Sequence, residues 1–317
     1  MAVQESSTAS IPLPKVLVLL ATYNGEPWLS EQIESILGQR GVAVEIHIGD
    51  DNSKDGTRAL IAAQWGDDAR VCLRPPAAGS GSAGANFRRM LKESDLSGYD
   101  FVAFADQDDF WLPNKLAAAI HSLRQHGAFG YSCAVQAFWP DGREQVLAQV
   151  PSGTGADFLF EGAGQGCTFV LHPDLAHRAQ LFCLDFPEAT EALHYHDWLI
   201  YLLARAWQLK WYFDATPWMR YRQHGGNEIG SRGKIGSVLK RLELIRDGWY
   251  KRQIIAASRI FMLANNTSAL VSNFVDLMFS SNTAGRRVRL ATFFLRHGRR
   301  RVSDRIVMVI SAAAGWT

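Results

Sequence analysis

The chain holds 317 residues, of which 47% are apolar and 20% charged, and its formal net charge is +2. That length allows one large domain or a domain with an appendage, and the composition is that of a chain that folds around a core. So small a net charge gives no argument for nucleic acid as a partner. Residues 1–13 lack a charged segment followed by an apolar core, so they read as a tail and not as a signal peptide. No apolar run approaches the ~20 residues needed to cross a bilayer. Cys72, Cys133, Cys167 and Cys183 form no C-x-x-C pair and sit in or near apolar runs. They are expected as buried free thiols in a reducing, cytoplasmic setting.

In chain order, Lys15–Thr22 is a continuous β-prone run, as a buried parallel strand would be. Residues 26–39 place Leu29, Ile33, Ile36 and Leu37 at helical spacing. A second strand over 44–48 runs into Asp50-Asp51-Asn52, with a turn at 53–56 and a helix from Thr57. A short strand at Val71–Leu73 follows, then a glycine-rich loop over 79–84 and a helix over 85–93. The strand over 100–105 ends in Asp106-Gln107-Asp108-Asp109, and Pro113 opens the next helix. Further strands are predicted over 131–138, 167–171, 211–213 and 218–221, and a helix over 192–206. From Ser237 the pattern is helical. Such alternation predicts an α/β fold with a Rossmann-like, mostly parallel sheet over residues 14–235 and a helical C-terminal extension over 236–317.

Ligands of such sheets bind beyond the carboxyl ends of the strands. Polar clusters fall at strand ends in three places, Thr22-Tyr23-Asn24, Asp50-Asp51-Asn52 and Asp106 to Asp109, which predicts one shared crevice. Hard divalent cations take oxygen ligands, so Asp106 and Asp108 are candidate ligands for Mg²⁺ or Mn²⁺. An acidic turn that only caps the following helix is the plain alternative. Asp51 suits a base or ribose contact, or an Asx turn. The glycine loop could cradle phosphate or be a linker, and without a Walker lysine it is no P-loop. His194 and His196 lack a clear third partner for zinc.

These pieces together resemble the family 2 inverting glycosyltransferases of GT-A fold. The resemblance rests on Ala21-Thr-Tyr-Asn-Gly25, Asp50-Asp-Asn-Ser-x-Asp-Gly-Thr57, Ala105-Asp-Gln-Asp-Asp-x-Trp-Leu-Pro-x-Lys-Leu116, Gly166-Cys-Thr-Phe-Val170, His196-Asp-Trp198 and Tyr221-Arg-Gln-His-Gly-Gly-Asn227, in that order. It implies that Asp51 meets the nucleotide base, Asp106 the ribose or metal, and Asp108 the metal on the pyrophosphate. It also implies that Asp197 is the catalytic base. Thr22, Tyr23, Asn24, Asn86, Arg220 and Arg222 complete the expected donor-binding set, and His224 is a candidate third metal ligand. The Arg-Gln-His segment resembles rhamnosyltransferase-like members that build bacterial surface polysaccharides. That implies a nucleotide-sugar donor, with dTDP-rhamnose a candidate, and a saccharide or lipid-linked saccharide acceptor. The Gln/Arg-x-x-Arg-Trp motif and membrane helices of processive members are missing, and His172 stands where relatives often have Asn.

Between residues 286 and 305, eight arginines interleave with apolar residues. Two readings are open: helices packed on the catalytic domain with a solvated basic face, or a segment lying on the anionic inner face of the cell membrane. A sugar-phosphate nucleotidyltransferase would carry a basic glycine-rich loop where this chain has Thr22-Tyr-Asn-Gly-Glu. A non-catalytic nucleotide-sugar-binding protein would have no use for both Asp108 and Asp197.

Overall fold

A computed structural model describes residues 12–76, 78–148, 151, 155–224, 247–265 and 267–315. Strand β1 (Lys15–Thr22) is buried beyond its first residue because every position is apolar or small. Then come α1 (Leu29–Leu37), β2 (Ala43–Asp50), α2 (Thr57–Trp65), β3 (Val71–Leu73), α3 (Ala83–Glu93) and β4 (Phe101–Asp106). Strands β1 to β4 are mutually parallel in the order β3-β2-β1-β4, as the alternation predicts. Side chains alternate across β1. Leu17, Leu19 and Ala21 enter one core, and Val16, Val18 and Leu20 enter another on the opposite face.

The remainder departs from a mostly parallel plan. It comprises β5 (Phe110–Trp111), α4 (Lys115–His126), β6 (Gly130–Phe138), β7 (Glu144–Leu147), β8 (Val170–Leu171), α5 (Pro173–Asp185), α6 (Pro187–Glu191), α7 (His196–Ala206) and β9 (Trp211–Arg222). Strand β8 is antiparallel to both β4 and β6, β5 is antiparallel to β9, and β6 with β9 is parallel. The sheet is therefore mixed, because very short strands return beside β4 and β9 without helical crossovers. Residues 211–213 and 218–221, predicted as separate strands, are one strand whose register against β6 slips between Cys133 and Gln136. Pro217 sits in that irregularity and breaks the sequence pattern. The helix predicted over 192–206 begins only at His196, after a link from α6. Cys72 is exposed, contrary to expectation, while the other cysteines are buried. It lies on β3, a three-residue strand at the sheet edge.

The C-terminal helices α8 (Trp249–Ala264), α9 (Ala269–Phe279), α10 (Ala284–His297) and α11 (Val302–Ala314) add Ile254, Phe261, Phe274, Leu290 and Phe294 to the core that contains Leu17 and Phe104. The expected boundary near 235, the tail up to Ile11 and residues 225–246 lie outside the described residues. Among the described residues, no helix is long and apolar enough to cross a membrane. Several of the basic residues face inward. Arg300 donates to Asp157 at 3.0 Å, a fully buried carboxylate that also accepts from Tyr201 and Arg205. Arg299 pairs with Glu161, and Arg286 donates to the Leu277 and Met278 carbonyls at the end of α9.

Candidate active site

Strand register builds the crevice. Ala21 lies opposite Asp106 and Thr22 opposite Asp50, so three strand ends meet side by side. Gln107 joins two of them. Its Oε1 accepts from Thr22 Oγ1 at 2.7 Å and from the Tyr23 amide at 2.8 Å, and its Nε2 donates to the Tyr23 carbonyl. A Cβ on Gly25 would lie 2.4 Å from that Gln107 oxygen, which explains the glycine. Asn24 takes a positive φ of 50°, where Asn is one of the few tolerated residues. Its Oδ1 accepts from the Lys54 amide and its own amide donates to Ser53 Oγ, which ties the turn after β1 to the turn after β2. Tyr23 is exposed at the crevice edge.

Asp51 is nearly buried, and its carboxylate accepts from the Ser80 and Gly81 amides at 2.7 and 3.2 Å. Those two amides of the glycine loop thus hold a side chain of the protein itself, and Ser82 caps α3. Asn86 is buried, donating to the Gly49 carbonyl at 2.7 Å and accepting from Arg89, so its amide fixes α3 against β2.

Pairing of β5 with β9 brings Asp108 and Asp109 against residues 220–224. Arg222 donates from its amide to Asp109 and from Nε to the Asp108 carbonyl, and its Nη2 meets Glu31 on α1. Arg220 is exposed and pairs instead with Glu144 at 3.0 Å. His224 Nε2 lies 2.7 Å from Asp108 Oδ2, and its ring stacks on Trp28 at 4.2 Å. Ligand atoms of Asp106, Asp109 and Cys167 fall within 4.8 Å of one another. Burial, then the charges of Asp108 and Asp106, push the Asp109 carboxyl well above the ordinary range. Burial, then the charges of Asp109 and Asp106, push the Cys167 thiol up. One buried oxygen of Asp109 has no hydrogen-bond partner. Crowded carboxylates with an unsatisfied oxygen suit a hard divalent cation, whereas a protonated thiol is a poor ligand for one. The cluster therefore sets Asp109 beside Asp106, whereas Asp108 and His224, also expected as ligands, meet each other.

Asp197 stands in the first turn of α7, its Oδ1 accepting from the Trp198 amide. The helix is anchored behind it by Trp198 Nε1 donating to the Phe158 carbonyl and by the Tyr201 hydroxyl on Asp157. The short turn Gly166–Thr168 lies between this helix and the acidic cluster. Cys167 joins Asp106 and Asp109, while a Cβ on Gly166 would lie 2.3 Å from His196 Nε2 and 3.2 Å from Asp197 Cβ. One dipeptide thus touches both halves of the site. His196 packs on Phe87 and Phe104, and burial pushes its imidazole down to about 3. His172 caps α5 through the Asp174 amide. Trp28, Glu31, Gln107 and Cys167 complete the site without having been singled out from sequence. Gln107 and Cys167 lie inside the quoted motifs, but Trp28 and Glu31 carry no signal that the sequence alone distinguishes from helix packing.

Residues 17–183 match the glycosyl transferase family 2 domain. The chain is 37% identical over 236 residues to a dTDP-rhamnosyl transferase of Shigella flexneri, covering 74% of this chain and 82% of that protein. It is 33% identical over 108 residues to an Escherichia coli β-1,3-glucosyltransferase acting on GlcNAc-diphosphoundecaprenol, covering 34% and 40%. In fold it is similar to TarS of S. aureus with UDP, at TM-score 0.55 and 15% identity over 95% of this chain and 87% of that one. A mannosyltransferase from Pyrobaculum calidifontis, solved with GDP-Man and Mn²⁺, gives TM-score 0.50 at 17% identity over 96% and 87%. These neighbours share the GT-A fold. Its parallel β3-β2-β1-β4 block, its acidic strand ends and its matched domain make this chain a member of glycosyl transferase family 2.

Proposed function

We propose that the chain transfers a sugar with inversion from a nucleoside-diphosphate sugar, dTDP-rhamnose first among the candidates. The acceptor in this reading is a saccharide or lipid-linked saccharide in the assembly of a bacterial surface polysaccharide, at the cytoplasmic side of the cell membrane. The observation that carries it is the Gly166-Cys167 turn, which sets Asp197 beside the acidic cluster at the end of β4. The 37% likeness to a dTDP-rhamnosyl transferase supports the donor. Residues 14–235 form the catalytic unit in this reading and 236–317 its helical extension. Thr22, Tyr23, Asn24 and Asp51 line the nucleotide end, with Arg222 at the diphosphate; Asn86 and Arg220, whose polar groups are engaged elsewhere, act from behind and from the rim. Mn²⁺ or Mg²⁺ held by Asp106, Asp108 and His224 would supply positive charge to the diphosphate as it departs. Asp197 takes the proton from the acceptor hydroxyl as that oxygen attacks the anomeric carbon. No second carboxylate is assigned as a nucleophile, so displacement is single and configuration inverts. The outward apolar and basic residues of α10 and α11 support contact with an anionic membrane surface.

The test is turnover of dTDP-rhamnose with membrane-extracted lipid-linked saccharide, read by product NMR. Asp197→Asn should lower turnover by ~10²–10⁴ while leaving dTDP affinity nearly unchanged. Asp108→Asn should weaken dTDP binding in Mn²⁺. Retained anomeric configuration, or dTDP affinity equal in EDTA and Mn²⁺, would remove the base or the metal from the scheme.

A further inference from the structure

The start of α7 is fixed by groups outside that helix. The link between α6 and α7 carries four residues, Ala192 to Tyr195, ahead of His196 and Asp197. Arg88 on α3 is 6% exposed, and its Nη1 donates to the Leu193 and His194 carbonyls, both at 2.9 Å. From the other side Gln253 on α8 accepts from the His194 amide at 2.7 Å and donates to the Ala192 carbonyl at 3.3 Å. Gly84 lets α3 come close, since a Cβ there would lie 2.3 Å from the His194 carbonyl oxygen. The backbone just before the base is therefore gripped on both sides, with each clamp taking different polar atoms. A buried guanidinium is costly to desolvate, and here its bonds go to main-chain carbonyls of the link.

The same helix α3 also bears on the nucleotide side. Asn86 holds the Gly49 carbonyl, and Arg89 donates to the Asp50 carbonyl at 3.3 Å. Ser80 and Gly81, just ahead of it, hold Asp51. We infer that Arg88 and Gln253 are positioning residues for Asp197, and that α3 is the bar that keeps the base at a fixed place relative to the nucleotide end of the crevice. This rests on Asp197 being the base. It gives the C-terminal extension a part in catalysis through Gln253, independent of any membrane contact.

Arg88→Met, Arg88→Lys and Gln253→Ala are to be compared with Asp197→Asn in the full chain. Readouts are turnover of dTDP-rhamnose on extracted lipid-linked saccharide, calorimetric affinity for dTDP with Mn²⁺, and hydrogen exchange of the 192–199 amides. Arg88→Met and Gln253→Ala should lower kcat by ~10–100-fold, since small misplacement of a reacting group is costly. The dTDP affinity should stay within about twofold, and exchange at 192–199 should rise while that of β1 and β4 does not. Arg88→Lys should recover part of kcat. If Asp197→Asn is impaired but kcat per folded molecule in Arg88→Met and Gln253→Ala matches the unaltered chain, the clamp has no positioning role. Unchanged exchange at 192–199 in both variants would overturn it equally. Near-normal turnover in Asp197→Asn would instead remove the base assignment, and this inference with it.

Discussion

Gly166→Ala is the sharpest perturbation of the site, because it adds one methyl group where there is no room. The new Cβ would lie 2.3 Å from Nε2 and 2.6 Å from Cε1 of His196, and 3.2 Å from Asp197 Cβ. Ordinary contact begins near 3.4 Å, so the ring must retreat by about 1 Å. It has little space to do so, with Phe87 at 4.1 Å and Phe104 at 5.3 Å between ring centroids. The displacement therefore passes to the first turn of α7 and to Asp197. Overpacking of this kind costs about 1–3 kcal/mol of stability. A shift of about 1 Å in a reacting group can cost ~10² in rate, so kcat should fall by that order with dTDP affinity preserved. Gly130→Ala is the control. Its Cβ would meet the Trp211 ring at 2.2 Å, a comparable clash on a buried ring that the site does not use. It should lower stability and leave kcat per folded molecule unchanged. A folded Gly166→Ala enzyme with kcat within twofold of the unaltered chain would refute the argument.

His196 makes stability sensitive to acid. Burial first, and then Arg88, push its imidazole from 6.5 down to about 3. The unfolded chain takes up this proton near 6.5 and the folded chain only near 3. The contribution is therefore fully present above 6.5 and lost as pH falls toward 3, with a limiting size on the order of 4–5 kcal/mol. Urea melts from pH 7.5 to 4 should fall less steeply in His196→Gln, and parallel loss in both proteins would contradict this. Arg300→Met leaves the buried Asp157 carboxylate short of one cation and should destabilise the fold by ~3–5 kcal/mol, against an expected loss below about 1 kcal/mol if the contact were superficial. Vesicles with anionic lipid should sediment the chain in a salt-sensitive manner, and Val288→Asp with Ile306→Asp should abolish this. Equal sedimentation by the double variant would take the outward face of α10 and α11 out of the membrane reading.

The parallel block was legible because its signals are local. A short β-branched and leucine-rich run such as 15–22 reads as a strand buried on both faces, and carboxylates stand at the ends of β2 and β4 beside it. The register that aligns Thr22 with Asp50 and Ala21 with Asp106 follows from that topology. What sequence could not supply were pairings between distant short elements. Strands β5 and β8 have two residues each, too few for any periodicity, yet they bring Arg222 to the acidic turn and Cys167 to Asp109. The sequence pattern suggests two strands where β9 is one, because Asp214 to Pro217 interrupt its alternation. The glycine loop shows a different limit. Its composition suits phosphate, but two of its amides are engaged by Asp51, a residue 29 positions away from Ser80.

The basic C-terminal run, which composition left open between packing and surface attachment, divides by helix geometry. In α10 the residues Arg286, Leu290 and Phe294 recur every fourth position and are buried. The cation on that inward stripe is accommodated because its guanidinium meets the Leu277 and Met278 carbonyls in the last turn of α9, where helix carbonyls lack partners within the helix. A second stripe, Val288 and Leu295, is exposed, and Val302, Ile306 and Ile310 are exposed on α11. A groove of about 420 Å³ lined by Val288, Ala291, Leu295 and Val309 runs along it. A helix that needs only to cover a core carries one apolar stripe; α10 carries two. The only acidic residue in these two helices, Asp304, is buried beside Arg299, so their exposed charges are all positive. Arg286 thus ties α10 to α9, Arg299 and Arg300 tie the segment between α10 and α11 to Glu161 and Asp157, and outward arginines border an apolar surface. Packing accounts for the inward face, and the outward face is the one that the proposed membrane contact would use.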